Sequence, residues 1–208
     1  MRRSSSLREF LNHTVRPIWS KANDVYLNID TTGPALTSAN SIGGDGERSQ
    51  SVEWTYARQL LRELRLSPSD VLFDLGCGRG RMLCLASRFR LQLCVGIELI
   101  PEICEIAKKN AARVHGRQAP VEVICGDCAT TDLSAGSVYL MFNPFGAATM
   151  RAVLTNIEAS LQAHPRKIRI GYLNPVHEKE LKNCGFLSKT LEFRTFFGGY
   201  VNVWGNCV

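Results

Sequence analysis

Apolar residues fall into a helical rhythm near the start of the chain, where Leu7, Phe10, Leu11, Val15 and Ile18 recur at spacings of three and four. Arg8, Asn12 and Arg16 interrupt them, so the segment reads as an amphipathic helix that packs on a domain. Residues 31–51 (TTGPALTSANSIGGDGERSQS) hold Gly, Ser, Thr and Asn punctuation with little that is apolar, which predicts a long loop or lid. From Val52 the pattern settles: Trp54, Ala57, Leu60, Leu61 and Leu64 mark a helix that stops before Pro68. Beyond it, short apolar runs alternate with helical ones. Residues 71–75, 91–98, 121–125, 138–142 and 167–173 read as strands, and 81–88, 101–114, 147–163 and 176–184 as helices. Continuous apolar strands separated by helices predict an α/β fold, a doubly wound and mostly parallel sheet covered by helices on both faces. Residues 186–197 and 200–204 flank Gly198-Gly199 and predict an antiparallel hairpin that closes the sheet. The organisation expected is a helix and lid over 1–51 followed by one domain over 52–208.

Composition narrows the class. The chain has 208 residues, 45% hydrophobic and 21% charged, a balance unlike disordered, collagen-like or membrane-spanning sequences. Its apolar runs fall far short of the roughly 18–20 residues a bilayer span requires. With no apolar core in the first twenty residues to serve as a secretory signal, a cytoplasmic protein with no membrane insertion is expected. Net charge is +6, and residues 1–23 hold Arg2, Arg3, Arg8, Arg16 and Lys21 against Glu9. Such an arm suits nucleic acid, an anionic membrane or an acidic substrate, and it equally suits a solvated face. Eight cysteines without a signal peptide read as reduced thiols. Cys125-Gly-Asp-Cys128 has zinc-like spacing, but neither a second such pair nor a histidine pair completes four ligands, so no metal is expected.

The chemistry lies where the first strand ends. Asp74-Leu-Gly76-Cys77-Gly78-Arg-Gly80 sets an acid at the carboxyl end of a buried strand and glycines at every second position of the turn into a helix. Ligands of open α/β sheets bind at that edge. The spacing G-x-G-x-G differs from the G-x-G-x-x-G of dinucleotide sites, and neither a phosphate loop nor a G-x-S-x-G elbow occurs. Acids recur at the ends of the next two strands, Glu98 and Asp127, and Asn143-Pro144-Phe145-Gly146 follows the fourth.

That constellation resembles the class I S-adenosylmethionine-dependent methyltransferases, whose glycine motif reads D-x-G-x-G-x-G as residues 74–80 do. The resemblance runs from about Val52 to the C-terminal hairpin and implies S-adenosylmethionine as cofactor. It gives Asp74, Gly76, Cys77, Gly78, Gly80, Glu98, Leu99 and Asn143 as cofactor contacts, with Asp74 facing the methionine end and Glu98 on the ribose hydroxyls. Gly126, Asp127 and Cys128 would surround the adenine. Asp127 also suits a plain turn or helix cap. Asn143, Pro144 and Phe145 resemble the N-P-P-[FYW] loop of enzymes that methylate nitrogen, with one proline in place of two. There the asparagine accepts a hydrogen bond from the target N–H and aims the lone pair at the methyl. The resemblance implies metal-independent in-line displacement onto a nitrogen of a small molecule or peptide. A protein or RNA acceptor reached through the basic arm, or cofactor binding without turnover, are the alternatives. Tyr26, Trp54 and Tyr56 are the candidate acceptor-pocket residues, and Asp30-Thr-Thr-Gly33 looks like a pocket-closing segment of small methyltransferases.

Overall fold

Seven strands build one sheet in the order β3-β2-β1-β4-β5-β7-β6 in this computed structural model, which describes residues 14–33, 52–195 and 199–206. They are β1 (Val71–Leu75), β2 (Leu93–Glu98), β3 (Val121–Cys125), β4 (Val138–Met141), β5 (Arg169–Leu173), β6 (Leu187–Arg194) and β7 (Tyr200–Asn206). The pairs among β1 to β5 are parallel, and β7 runs antiparallel to both β5 and β6. This is the expected doubly wound sheet with its closing hairpin. The upstream apolar positions Leu7, Phe10 and Leu11, most of the expected lid (34–51) and Gly198 of the hairpin turn lie outside the described residues.

The helices are α1 (Arg16–Leu27), α2 (Trp54–Glu63), α3 (Arg81–Ala86), α4 (Pro101–Arg113), α5 (Ala147–Ala163) and α6 (Glu178–Lys182). Two apolar clusters cover the sheet. One joins Leu27 of α1, Leu60 and Leu61 of α2, Leu83 of α3 and Leu72 of β1; the other joins Phe73 and Tyr139 to Met150, Val153 and Ile157 of α5. Alternation along β1 explains the division, because successive side chains leave opposite faces of a strand. Boundaries moved inward by a few residues where turn chemistry outweighs apolar runs. The helix expected over 176–184 shrinks to α6, since Val176 N donates to Asn174 O across the Pro175 turn. β6 stops at Arg194 because Thr195 N donates to Gly199 O at 2.8 Å and closes the hairpin.

The N-terminal helix packs on the domain, but through the face opposite to its apolar stripe. Asn23, Asp24 and Leu27 are buried, whereas Val15, Ile18, Trp19, Val25 and Tyr26 are exposed. The cause is Arg81, buried at the first position of α3. A guanidinium removed from water needs a counter-charge and acceptors for its donors. Asp24, with no exposure at all, stands 3.5 Å from Arg81 Nη2; Arg81 Nε donates to Thr31 Oγ1 at 2.7 Å, and Nη1 donates to Val52 O at 2.8 Å. Thr31 in turn donates its N–H and hydroxyl to the Asp24 carboxylate at 2.8 and 2.9 Å. Asn28 ends α1 at φ 56° in the left-handed region that asparagine tolerates, and the chain turns back toward α4.

Asp24→Ala leaves the Arg81 guanidinium without its counter-charge, and breaking a buried pair from one side costs about 3–5 kcal/mol. Urea unfolding should register that loss, with Asp24→Asn milder because its amide oxygen still accepts from Thr31. A loss below about 1 kcal/mol, the level of exposed pairs, would contradict it.

Candidate active site

The strand order reverses on either side of β1, so β2 and β4 diverge from it and open a crevice beyond their carboxyl ends. The glycine motif begins at the carboxyl end of β1, beside that crevice. Asp74, in register with Gly96 of β2 and Leu140 of β4, is the penultimate residue of β1. Gly76, Gly78 and Gly80 follow with φ of 71°, 55° and 81°, the left-handed region that a side chain strains to adopt. At Gly76 there is a second requirement, since a Cβ would run into the ring of Pro144. The turn after β1 and the Asn-Pro-Phe turn after β4 are therefore in direct contact. Cys77 N donates to Ile97 O at 2.9 Å and fastens the first of these turns to β2.

Asp74 is buried, and its Oδ2 has no hydrogen-bond partner among the described residues. Burial raises its carboxyl to about 7, the nearby Glu98 charge adds to the rise, and a hydrogen bond from the Leu83 backbone opposes it. An unpartnered buried carboxyl oxygen at a sheet edge is a receptor for a cation or N–H donor. Glu98 is differently placed. Its Oε2 accepts from Gly78 N at 2.9 Å and its Oε1 from Ile100 N at 3.0 Å, so the side chain ties the glycine turn to the end of β2. Each carboxylate oxygen retains a lone pair for a further donor such as a hydroxyl. Together Asp74 and Glu98 fit an ammonium and a diol, the donors that S-adenosylmethionine carries.

The third acid is less enclosed. Asp127 is exposed, and its Oδ1 accepts from Ala129 N at 2.8 Å while its carbonyl receives Thr131 N and Thr131 Oγ1. The turn role anticipated for it is thus present in the structure. Gly126 N donates to Glu98 O at 2.9 Å, which brings Gly126, Asp127 and the buried Cys128 to the same edge, next to the half-buried Leu99.

Asn143 holds φ 49°, a left-handed conformation adopted here without the freedom of a glycine. Its Oδ1 accepts from Tyr172 Oη at 3.1 Å, and His177 N donates to the same Tyr172 oxygen at 3.2 Å. Tyr172 of β5 therefore fixes the asparagine amide, a role that sequence reading missed because Tyr172 sits in an ordinary apolar strand. The Phe145 ring is buried in the cluster with Met150 and Val153, where it anchors the turn. Gly146 caps α5.

The three candidate pocket aromatics part company. Tyr26 lies on the outward face of α1 beneath Arg88, and His115 Nδ1 meets its carbonyl oxygen at 3.3 Å near the end of α4. Since α4 begins just after β2, its far end is remote from the crevice, and Tyr26 is not grouped with Asp74 and Glu98. Trp54 is fully buried, with the Arg81 guanidinium 4.9 Å and that of Arg58 5.6 Å from its ring centre. It stacks on cations and is not open to an acceptor. Tyr56 is buried too, its ring filling the space a Cβ at Gly199 would take. The segment Asp30–Gly33, in contrast, reaches the glycine turn. Asn110 accepts from Asp30 N at 2.9 Å and donates to the carbonyls of Asp30 and Arg79, both at 2.9 Å, and Gly33 packs against the Arg79 guanidinium. Asn110 is a second residue without a sequence signal, one polar position on the inward stripe of α4.

Burial raises the thiols of Cys84, Cys94, Cys104 and Cys128 to about 12, and that of Cys77 well above its ordinary range. Among the described residues no group of three or more His, Cys, Asp or Glu could hold a metal ion.

Comparison with known proteins agrees with this geometry. The family described as Histone methylation protein DOT1 matches residues 48–120. A protein-lysine N-methyltransferase of Saccharolobus islandicus is 29% identical over 126 residues, covering 60% of this chain and 64% of the relative, so the match spans less than two thirds of that protein. Among solved structures, an RNA methyltransferase of Salinibacter ruber in complex with S-adenosyl-L-homocysteine superposes with a TM-score of 0.57 at 20% identity, over 76% of this chain and 94% of that one. The precorrin 8W decarboxylase of Methanobacterium thermoautotrophicum gives 0.55 at 17% identity, over 77% and 93%. At such identities the structural matches show a shared fold.

The raised Asp74 carboxyl makes binding of a cationic ligand pH-dependent. An ammonium pairs with the ionised form, so affinity for S-adenosylmethionine should weaken up to about tenfold per pH unit as pH falls below 7. Without ligand the sign reverses: a carboxyl raised in the folded state favours folding at low pH, and that contribution is lost as pH rises from the ordinary aspartate range through about 7. Calorimetric titration across that interval checks the first effect, and Asp74→Asn should flatten it. A profile that stays steep in the variant would assign the proton elsewhere.

Proposed function

We propose that this chain, a class I methyltransferase by fold, is an S-adenosylmethionine-dependent N-methyltransferase whose acceptor is a lysine side chain of a protein. One observation carries the cofactor assignment: the unpartnered, buried Asp74 oxygen and the Glu98 carboxylate meet at the edge where the strand order reverses. Asp74 would hold the cofactor's ammonium, Glu98 its ribose hydroxyls, and the backbone of residues 126–128 its adenine. The lysine acceptor is supported by the two sequence relatives, one described as a histone methylation family and one as a protein-lysine N-methyltransferase. They favour a protein over the small molecule that the Asn-Pro-Phe turn alone suggested.

When bound, the cofactor supplies a methyl group already activated by its sulfonium, so little acid–base chemistry is asked of the protein. What the side chains supply is position. Asn143, locked by Tyr172, would accept an N–H of the neutral acceptor amine and leave the lone pair free to point at the methyl. Pro144, pressed against Gly76, fixes the distance between that amide and the cofactor turn. Buried Phe145 keeps the turn from flexing when the acceptor enters.

Asn143→Ala should leave cofactor affinity nearly intact and lower turnover about 100- to 1000-fold, the usual cost of one oriented transition-state hydrogen bond. Asn143→Asp, which keeps an acceptor, should retain more activity than Ala. Single-turnover rates beside thermal melts separate this from mere loss of the turn, which would reduce melting temperature and rate together. For the acceptor, transfer of labelled methyl to a fractionated lysate should place the label in protein, resistant to ribonuclease and recovered as methyl-lysine. Label recovered in RNA or in the small-molecule fraction would refute the lysine reading while leaving the cofactor assignment standing.

A further inference from the structure

Among the described residues, the outward face of α1 gathers most of the large exposed apolar side chains, and the proposed chemistry does not use it. Ile18, Trp19, Val25 and Tyr26 are 67%, 46%, 68% and 64% exposed. With Val15 and Ala22 they form a single stripe along the helix, because residues spaced by three and four share a face. Monomeric soluble proteins rarely leave such a stripe bare without using it. Its inward orientation is forbidden by the Asp24–Arg81 pair, which binds the polar face of α1 to the domain.

Among the described residues nothing covers the stripe. In the sequence, residues 34–51 contain only Leu36 and Ile42 as large apolar residues, among serines, glycines and charges. Upstream, Leu7 and Leu11 fall at the same spacing as Val15, so the sequence lengthens the pattern instead of supplying a complement to it.

The surroundings are basic. Arg88 stands 5.7 Å from the Tyr26 ring centre, Arg58 donates to Asn23 Oδ1, and Arg62 and Arg88 lie close enough to Arg58 to lower its pKa, behind desolvation as the largest cause. Lys21 adds a further cation, 4.0 Å from Asp30, and the sequence before α1 contributes Arg2, Arg3 and Arg8 against Glu9. Aromatic and β-branched side chains flanked by arginine and lysine are what an interfacial helix presents to a lipid surface. Nucleic acid would use the cations but not the isoleucine and valine.

We infer that α1 is a peripheral membrane-docking element, which lays Ile18, Trp19, Val25 and Tyr26 into the interface of an anionic lipid surface while Arg58, Arg62 and Arg88 face its headgroups. The attachment is superficial, since no described helix is long and apolar enough to cross a membrane. It does not depend on the methyl-transfer reading.

The three tryptophans make the test selective. Trp54 and Trp204 are buried and Trp19 is exposed, so a shift in emission on lipid addition reports Trp19. The full chain is mixed with vesicles of phosphatidylcholine containing phosphatidylglycerol, and with vesicles of phosphatidylcholine alone. The anionic vesicles should shift emission to the blue and float about tenfold more protein than the neutral ones, in a salt-sensitive way. Ile18→Asp with Val25→Asp should keep the wild-type melting temperature and lose about tenfold in flotation, and Arg62→Gln should weaken it less. The inference is overturned if the wild-type chain neither floats nor shifts its emission, or if the doubly substituted chain floats like wild type. It is equally overturned if sedimentation shows a dimer that the two aspartates dissolve, which would assign the stripe to a second copy.

Discussion

A buried arginine sets the terms for the N-terminal half of this molecule. Arg81 opens α3 directly after the glycine turn, and its side chain is buried there. Neutralising it requires a carboxylate from elsewhere in the chain, and Asp24 supplies one from the first described helix. Most of the surrounding arrangement follows. Thr31 must sit between the two charges, so the chain after α1 is drawn to the glycine turn, and Asn110 and Arg79 then hold Asp30 and Gly33 there. Trp54 packs on the remaining face of the guanidinium, an arrangement worth about 2 kcal/mol when desolvated. One ion pair thus connects the amino-terminal segment, the entry to α2 and the edge of the site.

The site itself is organised by unequal treatment of its acids. Glu98 is satisfied by two backbone N–H groups and behaves as a strut between the glycine turn and β2. Asp74 is denied such partners at one oxygen and stays poised near neutrality. Asp127 remains in water and spends one oxygen on its own turn. The three carboxylates stand alike at the ends of successive strands, yet burial and backbone donors give them different work. A strut keeps its geometry whether or not a ligand is present, whereas the poised acid gains from a cation.

Periodicity made the sheet readable. Five apolar runs separated by helical ones left little choice but a parallel sheet, and the glycine turn with its flanking acids identified the edge that matters. What escaped the sequence was orientation. The apolar positions from Leu7 to Ile18 read as the packing face of a helix, yet Val15 and Ile18, the two that are described, are exposed because a single charge pair turns the opposite face inward. Tyr26 was assigned by residue type to an acceptor pocket and Phe145 to the catalytic turn, but Tyr26 lies on the outward face of α1 and the Phe145 ring is buried in the core. Tyr172 and Asn110 act through contacts across 29 and 80 residues of chain, which no local pattern announces. The Asn143 turn was legible as a motif, while its left-handed backbone, which directs the amide, was not.

The high thiol pKa values have a consequence for self-inflicted damage. Cys77 belongs to the glycine turn, and Cys128 is buried at the same edge. In the proposed reading both are neighbours of an alkylating agent, because a methyl on a sulfonium reacts readily with soft nucleophiles. A thiolate is the softest nucleophile a protein owns, and the neutral thiol is far less reactive. By keeping both sulfurs dry and near acids, the fold holds them protonated, so in that reading an electrophile could be held beside cysteine without the protein becoming its own substrate.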